Sequence, residues 1–311
     1  MKTKIAAIVG PTASGKTSLS IELAKELNGE IISCDSMQVY KYMNIGTAKP
    51  DTEEMAGIVH HLIDIIEPDK EFSCADYSVL AKEKISEITA KGKFPVFCGG
   101  TGLYIDNVIN NTSFSEAGRN EEYRRELEEE LSLFGAIFLH HKLSECDPEA
   151  AENIHPNNTK RVIRALEIYH STGINKSEWD KRSREVESPY DARIICLDFK
   201  DRNILYERID KRVDIMLDMG LVDEVRGIVY GKNISLSATA VQGIGYKEII
   251  DHLRGICSLD EAVERIKQGT RNYAKRQLTW FRRNKNAHFI YVDEYEDRNE
   301  IVNLSKKIIL A

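Results

Sequence analysis

The sequence predicts an α/β protein: a three-layer core with a mostly parallel sheet and a phosphate-binding P-loop, plus a helical insertion domain. Three observations carry that reading. Short apolar, β-branched runs alternate with helical patterns through the first part of the chain. The first run leads straight into "GPTASGKT", Gly10 to Thr17. From about residue 110 to 188 charged helical segments replace the alternation, and then an apolar run returns. Strands alternating with helices imply a parallel sheet covered on both faces.

The elements follow in order. "KIAAIVG", ending at Gly10, is the first strand. Its basic start and apolar stretch run into the loop without a cleavage site, which argues against a signal peptide. Leu19, Leu23 and Leu27 recur at i, i+4 and i+8, the spacing of a helix. "EIISCDS" (30–36) and "HLIDII" (61–66) are the next strands. A helix over 77–91 carries Leu80, Ile85 and Ile88 and stops at Gly92 before the strand "FPVFCGG" (94–100). "RIICLDF" (193–199) resumes the sheet after the insertion. A helix over 202–219 turns Ile209, Val213, Met216 and Leu217 inward. Ser258 and Glu261 form a capping box for another helix, and "HFIYVD" (288–293) is the last strand. The expected domains are a core of 1–109 with 189–311 and an insertion of 110–188.

Composition bounds the function. The chain has 311 residues, 42% hydrophobic and 30% charged, a soluble globular balance. No apolar run approaches the roughly 20 residues of a membrane span, so no membrane partner is expected. Six scattered cysteines with no C-x-x-C pair indicate neither zinc nor a disulfide framework, and a cytoplasmic setting is expected. No unpaired apolar helix face stands out, so a monomer is expected. The net charge of −7 argues against indiscriminate nucleic-acid binding. Yet Arg265 to Lys285 holds eight Lys or Arg and no acid, while Glu121 to Glu130 holds six glutamates against two arginines.

The loop Gly10-Pro11-Thr12-Ala13-Ser14-Gly15-Lys16-Thr17 fits G-x-x-x-x-G-K-[ST] in the required strand–helix context. Its glycines let backbone N–H groups face phosphate oxygens, Lys16 adds a cation, and Thr17 offers a hydroxyl to Mg²⁺. Read alone, the loop signals a nucleotide such as ATP. P-loop nucleotide enzymes, however, place an Asp after an apolar strand to support Mg²⁺. Here "FPVFC" ends in Gly99-Gly100-Thr101, and Asp35-Ser36 follows the earlier strand instead. Asp35 is open to three roles: metal support, base toward a second substrate, or helix cap. In the basic helix, Val263, Ile266, Thr270, Tyr273, Gln277 and Trp280 form one stripe. Lys267, Arg271, Lys275 and Arg282 form another, broadened by Arg276 and Arg283. Lys160, Arg161 and Arg164 make a second basic face in the insertion. Two basic faces around one phosphate loop suggest a polyanion larger than a nucleotide.

"GPTASGKT", "DSMQVYKYMNIGTAKP", "HHLID", "GGTGLY", "IHPNNTKRVIRALEI", "VQGIGYKE" and "AKRQLTWFR" occur in this order. Together they resemble the bacterial tRNA dimethylallyltransferase family over nearly the whole chain. The resemblance implies transfer of a dimethylallyl group from dimethylallyl diphosphate to N6 of the adenosine 3′ of the anticodon. The P-loop would then grip a prenyl diphosphate with Mg²⁺. By the same resemblance Asp35 is the base, Thr101 positions adenine or diphosphate, and Lys16 assists the leaving group. The tRNA anticodon stem-loop would meet Asp35, Ser36, Met37 and Gln38. It would also meet Arg124; Lys160, Arg161, Val162, Ile163 and Arg164; and Gln242, Gly243, Ile244, Gly245, Tyr246 and Lys247. The remaining contacts would be Lys275, Arg276, Gln277, Leu278, Thr279, Trp280, Phe281 and Arg282. Some family members carry Arg where Gln242 stands, so Arg208 or Arg212 is the candidate to complete the diphosphate site.

Overall fold

β1 (Thr3–Val9) lies at the middle of a six-stranded sheet, and every strand pairing in that sheet is parallel. The computed structural model describes residues 2–112, 120–183, 187–236 and 238–311. β1 leads into α1 (Lys16–Glu26), and β2 (Gly29–Ser33) follows. Next come α2 (Thr52–Met55), β3 (His60–His61), α3 (Cys74–Ala90), β4 (Phe94–Gly99) and α4 (Gly102–Ile109). After the insertion the core resumes with β5 (Tyr190–Asp198), α10 (Arg202–Asp218) and α11 (Leu221–Arg226). It ends with α12 (Tyr246–Leu253), α13 (Leu259–Phe281), β6 (Ala287–Tyr291) and α14 (Arg298–Leu310). The strand order is β3-β2-β4-β1-β5-β6.

Both faces of the sheet are covered, which is why its strands read as near-continuous apolar runs. Along β1, Ile5, Ala7 and Val9 pack with residues of α3, α4, α10 and α13. The alternate residues Ala6 and Ile8 pack with Leu19 and Leu23 of α1 and Ile301 and Ile309 of α14. A second core lies beneath residues 37–45, where Val39, Tyr40 and Met43 meet Leu221, Val225, Tyr246 and Ile266.

"HLIDII" forms only the two-residue strand β3. Leu62 and Asp64 take φ of 62° and 55°, which breaks the extended backbone just after His61.

The chain divides into two compact units, residues 1–109 with 189–311 and residues 110–188. Residues 113–119 and 184–186 of the second fall outside the described residues. That unit contains α5 (Glu121–Phe134), α6 (Ala136–Cys146), α7 (Pro148–Asn153), α8 (Thr159–Thr172) and α9 (Lys176–Arg182), with no strand among its described residues. Leu127, Leu139, Leu143, Val162, Ile163 and Leu166 form its own core. At the α5–α6 turn Leu133 and Ile137 are 75% and 78% exposed, beside exposed Phe134 and Phe138. No such apolar face stands out in the sequence. The fold creates it, because two helix ends converge there around Gly135. No helix among the described residues is long and apolar enough to cross a membrane.

Candidate active site

The site forms where β1, β2 and β4 end side by side, at the carboxyl edge of the sheet. After β1 the chain turns at Gly10, with φ +146°. A Cβ there would lie 2.7 Å from the Leu197 carbonyl oxygen, so only glycine fits between the loop and β5. Gly15, at φ 89°, caps α1 without any side-chain bond. Leu19 N–H donates to Gly15 O, and the N–H groups of Lys16, Thr17 and Ser18 lie ahead of that bond. The Ser14 hydroxyl is buried with no partner among the described residues. Uncapped N–H groups, a helix dipole and an unpartnered buried hydroxyl together make an anion cradle.

Three cations attend it. Lys16 Nζ donates to Pro11 O at 3.1 Å. Burial lowers the Lys16 pKa, and the charge of Asp35 opposes that shift. Arg208 on α10 donates from Nε to Ala13 O at 2.9 Å. Arg212, one turn on, has its pKa lowered by burial, with the charges of Glu54 and Asp35 opposing. Arg208 therefore adjoins the loop, and Arg212 shares the field of Asp35. Gln242 instead donates from Nε2 to Leu236 O at 2.6 Å.

Asp35 stands just beyond β2, partly buried, and its Oδ1 accepts the Met37 N–H at 2.9 Å. Asp35 thus has a turn-capping bond and also sits within the field of Lys16. Thr101 Oγ1 accepts the Ser36 N–H at 3.0 Å and lies 3.3 Å from Ser36 Oγ. Thr101 N–H donates to Cys34 O at 3.1 Å, which ties the turn after β4 to the end of β2. Tyr273 of α13 lies against the same groups. Burial and then the charge of Asp35 push its phenol up to about 12. The phosphate loop, Asp35, Ser36 and Thr101 are therefore one cluster.

Other expected contacts are placed differently. Gln38, expected on the RNA face, has its amide engaged within the fold. It accepts from Ser33 Oγ at 3.0 Å and donates to Thr47 O and Ala48 O. Met37 packs against Gly243, where a Cβ would lie 2.5 Å from the Met37 Cε. Tyr246 is buried, and its hydroxyl donates to Glu224 at 2.7 Å. Gln277, Leu278 and Phe281 are buried on the inner side of α13, not on an outer face. Trp280 closes over Gly102 and donates from Nε1 to Asp106 at 2.6 Å. The exposed positions of that segment are Lys275, Arg276, Thr279 and Arg282. Arg282 Nη2 lies 3.0 Å from Asp198, which is fully buried and also holds Arg202. Ile244 and Gly245 lead into α12, with Gly245 N–H donating to Glu248 and Lys247 exposed. The acid-free stretch finds acids on α10: Lys267 pairs with Asp214 and Arg271 with Asp210.

In the helical unit, Lys160 and Arg161 are exposed, whereas Val162 and Ile163 face its core. Their apolar side chains fall on the inner stripe of α8, which corrects their expected place on the RNA face. Arg124 is engaged within the unit: its guanidinium grips the fully buried Glu167 through two bonds of 3.0 and 2.5 Å. Arg164 lies 3.6 Å from the same carboxylate.

Glu224 carries no signal in the sequence. Its carboxylate accepts the N–H groups of Asn44, Ile45 and Gly46 at 2.7–3.0 Å, bracing the "NIGTAKP" loop. Its partners lie some 180 positions away, beyond the reach of any local pattern.

Comparison with known proteins agrees with this architecture. The model of the family described as IPP transferase matches residues 38–284. A tRNA dimethylallyltransferase of Acetivibrio thermocellus is 53% identical, covering 95% of this chain and 94% of its own. One from Thermoanaerobacter sp. strain X514 is 50% identical, covering 99% of this chain and 97% of its own. The solved full-length tRNA isopentenylpyrophosphate transferase of Bacillus halodurans is 47% identical, with a TM-score of 0.74 over 99% of this chain and 97% of its own. A solved eukaryotic dimethylallyltransferase acting on tRNA is 29% identical, with a TM-score of 0.85 over 99% of this chain and 80% of its own. The chain belongs to the IPP transferase family.

Proposed function

We propose that this chain transfers a dimethylallyl group from dimethylallyl diphosphate to N6 of the adenosine 3′-adjacent to the anticodon in tRNA. The products are N6-isopentenyladenosine and diphosphate. One observation carries the reading: an anion cradle with Lys16 beside it shares a cluster with Asp35 and Thr101 at the ends of β1, β2 and β4. A leaving group and an acceptor can meet there.

The cradle N–H groups, the Ser14 hydroxyl, Lys16, Arg208 and Arg212 bind the diphosphate and stabilise charge as the allylic C–O bond breaks. Among the described residues no group of three His, Cys, Asp or Glu could hold a metal. Thr17 offers one hydroxyl, which suits Mg²⁺ held chiefly through phosphate oxygens and water. When bound, the ion would add Lewis-acid stabilisation of the leaving group. The adenine amino group is a poor nucleophile because its lone pair enters the ring. Asp35, oriented by the Met37 N–H, accepts the N6 proton as the new C–N bond forms. Thr101 and Ser36 hold the base in place. The adenosine must leave its stack to reach them, at a cost of a few kcal/mol, least in a single-stranded loop. Lys275, Arg276, Lys160 and Arg161 are exposed and form no ion pair among the described residues. Lys247 is exposed with only a long pair, 3.7 Å from Glu248. These cations suit RNA phosphates.

The test mixes the protein, Mg²⁺, labelled dimethylallyl diphosphate and unmodified tRNA, with AMP and with ATP alone as parallel arms. Label in tRNA only is the expected result. Label in AMP would mark a free-nucleotide prenyltransferase, and ATP turnover without label transfer would mark a kinase.

A further inference from the structure

Gln277 bridges two loops of the site with one side chain. It is 5% exposed and stands on the inner stripe of α13. Its Oε1 accepts the Thr12 N–H of the phosphate loop at 3.1 Å. Its Nε2 donates to the Gly100 carbonyl at 3.0 Å. A Cβ on Gly100 would fall 2.0 Å from that nitrogen, so the backbone is glycine where the amide needs room. The residue after Gly100 is Thr101, whose hydroxyl takes the Ser36 N–H beside Asp35. A short chain of contacts therefore runs from the phosphate loop through Gln277 to the acceptor side.

The same stripe repeats the pattern on either side. Tyr273, one turn earlier, lies against Thr101 and Asp35. Trp280, one turn later, covers Gly102 and bonds Asp106. Meanwhile Lys275, Arg276 and Thr279 point outward. One face of α13 holds the loops, and the other presents cations.

We propose that Gln277 is a positioning residue for the transfer reaction: its amide fixes the phosphate loop against the Gly100–Thr101 turn, and it makes no contact with RNA. The proposal rests on the reading that the loop holds a diphosphate. The chemistry requires an amide. One end must accept and the other must donate, which no other side chain of this length does. Glutamate keeps the acceptor for Thr12 but sets an oxygen against the Gly100 carbonyl. Methionine fills the space and forms neither bond, leaving the part-buried Thr12 N–H and the buried Gly100 C=O unpaired.

The full-length wild type, Gln277→Glu and Gln277→Met are compared in three measurements. Calorimetry with Mg²⁺ and inorganic diphosphate reads the loop directly, without RNA. Single-turnover transfer at saturating substrates reads the alignment with Asp35. Binding of unmodified tRNA against salt reads the RNA face. The expected result is diphosphate affinity and single-turnover rate each down by about tenfold or more. The tRNA Kd and its salt slope stay within about twofold of wild type, since a residue that does not touch RNA leaves the phosphate contacts intact. Unchanged diphosphate affinity in folded variants overturns the proposal, as does a loss confined to tRNA affinity. A wild type that binds no diphosphate sinks the donor reading itself, and this assignment with it. Hydrogen exchange on the wild type needs no variant to fold: slow exchange at the Thr12 amide is expected, and fast exchange overturns the bridge.

Discussion

The Met37 N–H donates to Asp35 Oδ1 at 2.9 Å, so the proposed base is aimed by the backbone two residues downstream. An Asn at position 35 can still accept that bond through its own Oδ1. Asp35→Asn should therefore keep the turn and the fold while losing the proton acceptor. The single-turnover rate should fall by about 10²–10⁴-fold, with tRNA affinity nearly unchanged. An unchanged rate would remove Asp35 as the base and leave it as a turn residue.

Arg282 shares the fully buried Asp198 with Arg202. Truncating Arg282 strips a buried carboxylate of one partner and should cost about 1–3 kcal/mol of stability by denaturant titration. Any fall in RNA affinity in that variant is then mixed with a folding defect. Lys275 and Arg276 have no ion pair among the described residues to confuse the result, only ring contacts with Tyr206 and Tyr273. Lys275→Ala and Arg276→Ala should leave stability alone. Each should lower the salt slope of RNA binding by about 0.7–0.9 for every phosphate no longer neutralised. Unaltered slopes would return this face of α13 to solvent.

Glu224 accepts three backbone N–H groups and the Tyr246 hydroxyl, so it sets the conformation of residues 44–46. Glu224→Ala should cost about 1–3 kcal/mol, since water can reach only part of what is released. Limited proteolysis should show faster cleavage near Asn44. Equal cleavage rates would show that the loop holds without the carboxylate.

The strands are legible in the sequence because both sheet faces are buried, so β1 and β4 read as unbroken apolar runs. The turn from Gly10 to the start of α1 is legible because its glycines obey local backbone geometry. The extent of β3 is not, since Leu62 and Asp64 turn to positive φ under contacts made elsewhere. The outer face of α13 is half legible: its spacing gives the stripes, but not which stripe faces in. Gln277 is a polar residue on an otherwise largely inward stripe, and that mismatch is the available signal. The acids that neutralise Lys267 and Arg271 lie on α10, so a run free of acids in sequence is not free of them in space. Glu224 braces a loop some 180 positions away, and Asp198 pairs with Arg282 beneath the surface, where sequence spacing carries no information.

Glu30 sits at the opposite end of β2 from the site, and its side chain is nearly fully buried. Burial alone would raise its pKa. Hydrogen bonds from Lys93, His61 and Lys91 outweigh that and hold it at about 2, below the ordinary 4.5. A folded-state pKa below the unfolded one means stability that is present above about pH 4.5 and lost as pH falls toward 2. Denaturant titrations from about pH 7 to pH 2 should therefore show an acid limb on the order of 3 kcal/mol from this group. Glu30→Gln should be less stable at neutral pH and should flatten that limb, because no proton is taken up at position 30. A limb of equal depth in the variant would assign the acid sensitivity to other carboxylates and not to Glu30.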